Sequence, residues 1–197
     1  MAWSLDDIWS EARLTLSDPR LGARRILALN LPMAARWTAV GAISAISAVL
    51  FHVALRLLPT DGADPVSTFA GSPLFTALLQ GFIIVAGAAG IFLMGRIRGG
   101  RGSFPDALIL FCWLQALMLV LQVLQILAFI LVPLLGDIAS LAIVVVFFWL
   151  LTSFTMELHG FTSRLAVLAG IVLVFFGVAF VLSVILLMFG LGPEMGP

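Results

Sequence analysis

Five apolar runs dominate this chain, and each is long enough to cross a bilayer. They extend from Trp37 to Leu58, Leu74 to Gly95, Ala107 to Val132, Ile138 to Met156 and Leu165 to Phe189. A helix needs about 20 mostly apolar residues to span the hydrocarbon. Backbone facing lipid must satisfy its own hydrogen bonds, so each run is expected to be a helix. The runs lack the apolar–polar alternation of an outer-membrane strand. Apolar residues are 62% of the 197 and charged residues 10%, against about 25% charged in an ordinary soluble domain. A water-soluble fold of this size could not hide so much apolar surface.

The segments between the runs read as turns. "PTDGADPVSTFAGSP" is rich in Gly, Pro, Asp and Ser. "VPLLGD" is expected to join the third and fourth runs, with Pro133 ending the third helix. "ELHGFTSR" joins the fourth and fifth. The short final loops make those helices antiparallel neighbours. The chain divides into an arm at 1–36, a five-helix domain at 37–190 and a short tail at 191–197.

The arm differs in character from the spans. Leu5, Ile8, Trp9, Ala12 and Leu16 recur at helical spacing. Ser4 with Asp7 three places on resembles a capping box. Ser17 or Asp18 can cap a second helix, with Pro19 at its first position. Asn30 and Pro32 then break it. The expected fold class is thus an all-α integral membrane protein: five transmembrane helices preceded by a short amphipathic N-terminal helical arm. The first arm helix carries Asp6, Asp7 and Glu11 against Arg13. An anionic leaflet repels such a face, so residues 3–16 are expected to dock on protein, on the loop around Arg98 or on a partner. Residues 19–29, with Arg20, Arg24 and Arg25, are expected to sit on lipid. Trp3 and Trp9, with Arg24 and Arg25, are candidate partner or lipid contacts. The acidic start is not that of a secretory signal, so the chain is expected to insert uncleaved.

"RIRGGRGS" at 96–103 holds three of the ten basic residues, all of which are arginine. It is no phosphate loop: the Walker spacing, the lysine and a preceding strand are missing. Nucleic-acid binding is excluded as well, because the net charge is zero and no aromatics interleave the arginines. The arginines fit a topological role, and the glycines are expected to keep the loop supple. With the N-terminus in the cytoplasm, five spans put Arg13, Arg20, Arg24, Arg25, Arg36, Arg96, Arg98, Arg101 and Arg164 on that side and leave Arg56 opposite. That is a positive-inside pattern. Arg96, Arg98 and Arg101 are further candidates for head-group or partner contact. Asp106 suits the N-terminal end of the third span. The all-arginine usage reads as the bias of a GC-rich bacterium, which makes the expected location a bacterial inner membrane with the C-terminus in the periplasm.

Polar side chains inside spans are the next candidates. Gln115, Gln122 and Gln125 lie seven and three residues apart on one face of the third span, and Gln80 lies in the second. An unpaired amide in hydrocarbon is costly, so these should face protein. They either bond helices together or line a path for a small solute. His52 and His159 are isolated, so no metal site is expected. Cys112 sits in an apolar run and reads as a small core residue. No nucleophile–base constellation and no cofactor motif is present. Small residues form faces at Gly41, Ser44, Ala45 and Ala48, at Ala86, Gly87 and Gly90, and at Ala166, Ala169 and Gly170. Such faces allow close helix packing.

An amphipathic arm with "LTLSDPR" precedes five spans, and a basic-glycine loop, "GGRGSFPDALILFCWLQ", leads into the third. This pattern resembles the Yip1 family in its bacterial branch, from about Leu14 to Phe189. The resemblance implies a five-helix membrane domain with a cytoplasmic N-terminus. Eukaryotic members are associated with Golgi and ER membranes and Rab-type GTPases. The short motif of those members is missing here, so the resemblance implies fold and not Rab binding. The expected function is that of a non-enzymatic membrane scaffold or accessory protein, binding the bilayer and another membrane protein or a second copy of itself. The alternative is a small channel or transporter with a glutamine-lined path.

Overall fold

The structure, a computed structural model, describes residues 4–57 and 72–188. Trp3, residues 59–71 of the turn expected at 59–73, and the tail at 191–197 lie outside the described residues. Seven helices follow one another among the described residues: α1 Leu5–Ser17, α2 Pro19–Ala28, α3 Met33–Leu57, α4 Pro73–Ile97, α5 Phe104–Leu131, α6 Pro133–His159 and α7 Arg164–Met188. The protein is all-helical there. Helices α3 to α6 are long and apolar enough to cross a membrane; the described apolar stretch of α7 is Arg164–Gly177.

The arm forms as its caps dictate. The Ser4 side chain accepts from Asp7 N–H, and the Asp7 carboxylate accepts from Ser4 N–H at 2.9 Å. Asp18 caps α2 through Leu21 N–H, with Pro19 at its first position. Asn30, at φ 45°, turns the chain out of α2 toward α3.

One expected boundary moves. "VPLLGD" is not a loop: α6 begins at Pro133, and the single extended residue Val132 both ends α5 and precedes α6. Proline cannot continue α5, yet its fixed φ suits the first turn of a new helix. The reversal is tight because Gly136 backs onto Phe129, where a Cβ would lie 2.4 Å from the ring.

Burial is uneven along the bundle. At 28 residues, α5 is about 42 Å long, roughly 12 Å more than the hydrocarbon thickness. Its first turns are the best-covered part of the molecule, with Ala107 to Cys112 all buried. The last turns of α6 match them, with Leu150 to Met156 all buried. The arm, α4, α5 and α6 share this core. Toward the other end the outward side chains are exposed and apolar, including Val49, Leu78, Phe82, Leu141 and Val145. In water such a belt would be an association surface; in lipid it is the expected outer surface. The small-residue faces mostly serve packing: Gly87 meets the Phe111 ring and Gly170 meets Met94, whereas Gly41 faces open space.

Candidate functional site

Two polar assemblies stand out, one at the arm end and one deeper in the bundle.

At the arm end, Glu157 near the close of α6 holds two arginines of α2. Arg20 Nε donates to one carboxylate oxygen at 3.1 Å and Arg24 Nε to the other at 2.6 Å. The Glu157 side chain is 15% exposed, so the pair is partly shielded from water. Its hydrogen bond, and then its charge, hold the Arg24 guanidinium proton more firmly than usual. Pro19, Gly22, Ala23 and Ile26 form the buried face of α2 against the bundle. Helix α1 is carried on α2: Arg25 pairs with Glu11, and Thr15 packs where Gly22 has no side chain. Thr15 also accepts from Trp113 Nε1 of α5 at 3.1 Å. Ile8, Trp9 and Leu16 remain exposed, with the Arg13 guanidinium 5.0 Å from the Trp9 ring centroid.

This changes the expected division of the arm. Helix α2, expected on lipid, is docked on the bundle because Glu157 supplies the acid its arginines need, while α1, expected on protein, packs on α2 and on Trp113 of α5. Arg24 and Arg25 are both in ion pairs. The Glu11 carboxylate of α1 is met by Arg25 of α2.

The Arg-Gly loop also has a different role from a supple linker. His159 is 3% exposed, and its imidazole lies among Gly95, Gly100 and Gly102, where any added Cβ would fall within 3 Å of it. Gly102 N–H donates to Nδ1 at 3.2 Å, so Nε2 carries the proton and donates to Ile91 O at 3.2 Å. Phe161 stacks on the ring. Gly99, at φ 78°, makes the turn that brings the loop round. Arg98 donates to Ala166 O at 2.8 Å, tying the loop to α7. Arg96 and Arg101 are exposed and make no ion pair among the described residues. Behind them, buried Arg36 bonds Asp106 at 2.9 Å and Leu31 O at 2.8 Å, while Ser103 caps α5 through Asp106 N–H. Because the helices alternate direction, nine of the ten arginines gather at this end and Arg56 closes α3 at the other.

Deeper in the bundle the glutamines divide. Gln125 Nε2 donates to Ser140 Oγ at 2.6 Å and bonds α5 to α6. Gln80, Gln115 and Gln122 instead line a pocket of about 270 Å³ between α3, α4 and α5, together with Ser47, Phe51 and Met118. Turning three residues along a helix rotates a side chain by about 60°, which is enough to send Gln125 to another neighbour.

Sequence reasoning missed three pairings: Arg20 and Arg24 with Glu157, Arg36 with Asp106, and the glycines with His159. Only the isolation of Glu157 and His159 in a short polar turn hinted at them. Cys112 is buried in the core. Among the described residues no three metal-ligating side chains come together.

These features define a class: a multi-pass helical membrane protein whose basic end is capped by its own N-terminal arm. A family model for the Yip1 domain matches residues 13–191. The chain belongs to the Yip1 family. No curated protein and no solved structure matches it significantly.

Proposed function

We infer that the chain is a non-enzymatic accessory or scaffold protein of a bacterial inner membrane. It crosses the membrane five times, with α7 as the fifth span, its N-terminus in the cytoplasm and its C-terminus in the periplasm. It docks other membrane proteins or a second copy of itself and organises nearby lipid. The observation that carries this reading is the arm. Ion pairs to Glu157 hold it against the bundle, yet Ile8, Trp9 and Leu16 stay exposed on its outer side. A fixed helix presenting an apolar, aromatic face is a ready docking element. The gathering of arginines at the same end supports the cytoplasmic assignment.

The test is purification of the tagged full chain in mild detergent, beside an Ile8→Ser/Trp9→Ser variant. A stoichiometric membrane-protein partner, or a second copy, retained by the first and lost by the second is expected. Retention by both would overturn the arm's role.

The second reading, a channel or transporter, rests on the pocket lined by Gln80, Gln115 and Gln122. Against it stands the packed layer of Leu110, Phe111, Leu114 and Leu117 toward the arm end. Solute flux through liposomes holding the chain alone would favour it.

A further inference from the structure

The pocket between α3, α4 and α5 has a composition that packing does not explain. Three amides, Gln80, Gln115 and Gln122, border one space and make no hydrogen bond among the described residues. The neighbouring Ser47 Oγ is buried and likewise has no partner. Gln125 shows what helix-bonding would look like, and these three do not do it. An amide left unpaired at membrane depth costs several kcal/mol, so a partner from outside the chain is needed.

The lining describes that partner. Among the described residues it contains no Asp, Glu, Lys or Arg, so a charged group entering would be desolvated without a counter-ion. The amides each offer a carbonyl acceptor and two N–H donors, which suit hydroxyl and carbonyl groups. Phe51 and Met118 supply apolar walls. Of the lining residues on α4, Phe75, Leu79 and Ile83 are each nearly half exposed, so the pocket communicates with the outer apolar surface. Counted along the helices, Gln80 lies about 10 Å and Gln122 about 14 Å from the end opposite the arm. In a hydrocarbon layer of about 30 Å centred on these helices, both fall inside it. A volume of about 270 Å³ far exceeds what one water needs, about 10–15 Å³ on the same measure. It holds a polar head but not a whole lipid.

We propose that this pocket binds the head of a neutral, membrane-dissolved amphiphile bearing hydroxyl or carbonyl groups, with its apolar body lying along α4. The chemistry is common to a diacylglycerol and to an isoprenoid quinone. The site stands independently of the docking role of the arm.

The experiment uses the full chain in nanodiscs of phosphatidylethanolamine and phosphatidylglycerol. Photoreactive diacylglycerol, photoreactive quinone and photoreactive phosphatidylglycerol are offered separately. Capture of either neutral probe, on peptides of α4 or α5, is expected, and the better one identifies the source. A Gln115→Leu/Gln122→Leu variant is expected to lose about tenfold of that capture, as two hydrogen bonds in an apolar site warrant. Gln125→Leu, outside the pocket, is expected to keep it. A second readout guards against misfolding: short-chain diacylglycerol or quinone is expected to raise the thermal midpoint of the wild type in detergent but not of the double variant. Equal capture of the charged phospholipid, or no neutral capture and no thermal shift, would overturn the proposal and leave a water-filled recess.

Discussion

Gly102 donates its backbone N–H to His159 Nδ1 at 3.2 Å, across 57 residues of sequence. The contact exists because the glycine has no side chain: a Cβ there would lie 2.6 Å from Leu158 and 2.8 Å from the imidazole. Gly95 and Gly100 stand against the same ring. The loop between α4 and α5 is thereby moulded onto the end of α6. It positions Arg96 and Arg101 at the surface while Arg98 turns to α7.

Gly95→Ala is therefore expected to destabilise the arm end. Its Cβ would meet Nε2 at 2.1 Å, and overpacking of this kind costs about 1–3 kcal/mol. Adding His159→Ala to Gly95→Ala should recover part of the loss, since the two residues share one space. Thermal midpoints of single and double variants in detergent check this; strictly additive losses would contradict the cradle.

The Gln125–Ser140 bond predicts a smaller effect. Gln125→Leu or Ser140→Ala is expected to lower stability by about 0.6–2 kcal/mol, the range for one hydrogen bond between membrane helices. The double variant should cost little more than either single one. A large loss confined to Ser140→Ala would assign the serine a different role.

Legibility in the sequence follows the range of the forces involved. The spans can be read because lipid imposes one requirement on every residue of a run. The arm helices can be read because Ser4, Asp7, Asp18 and Pro19 act over three or four positions. The start of α6 at Pro133 is easily misplaced because "VPLLGD" looks like a turn until Gly136 is seen against Phe129. The docking of α2 cannot be read, because Arg20 and Glu157 are 137 residues apart. For the same reason the glycines suggest suppleness and not a cradle. Periodicity finds two of the pocket glutamines, Gln115 and Gln122, but the 60° turn that separates Gln125 from them depends on where α6 lies.

The cap of α1 should titrate. Hydrogen bonds from the Ser4 side chain and backbone hold the Asp7 carboxyl below its ordinary value. A depressed folded value means the cap's contribution is complete above the unfolded aspartate pKa of about 4. It fades as the pH falls through the lower folded value. Amide exchange at residues 6–8 is expected to quicken over that acid range. In Asp7→Asn the pH dependence should disappear. An unchanged profile in that variant would assign the titration elsewhere.

Orientation should follow the arginines. A reporter active only in the cytoplasm is expected to work when fused after Gly100 and to be silent after Pro197. Replacing Arg96, Arg98 and Arg101 by glutamine removes about 3 kcal/mol of attraction to the anionic leaflet. Mixed orientation of α4 and α5 is the expected result, read by the same reporters. Arg98→Gln alone should mainly loosen the link to Ala166 O, leaving orientation intact. The opposite reporter pattern in the wild type would invert the topology.

Glu157 is the residue on which attachment of the arm turns. It accepts from Arg20 and Arg24, and its side chain is more shielded than either guanidinium. Removing its charge strands two arginines at once, whereas removing Arg24, whose side chain is 60% exposed, leaves Arg20 in place. Glu157→Gln is expected to cost about 1–3 kcal/mol and Arg24→Ala less than about 1. The membrane helices do not depend on these bonds, so insertion should be unaffected. What should change is the arm: hydrogen exchange and protease cleavage near residues 17–19 are expected to rise strongly in Glu157→Gln and slightly in Arg24→Ala. Charge reversal at Arg24 together with Arg20 should mimic Glu157→Gln, and pairing those reversals with Glu157→Arg should partly restore protection. Trp9→Ala, on the outer face of α1, is expected to leave protection unchanged, since Trp9 faces away from the bundle. If Glu157→Gln left the arm as protected as in the wild type, apolar packing of Ala23 and Ile26 alone would be holding it, and the ion pairs would be incidental.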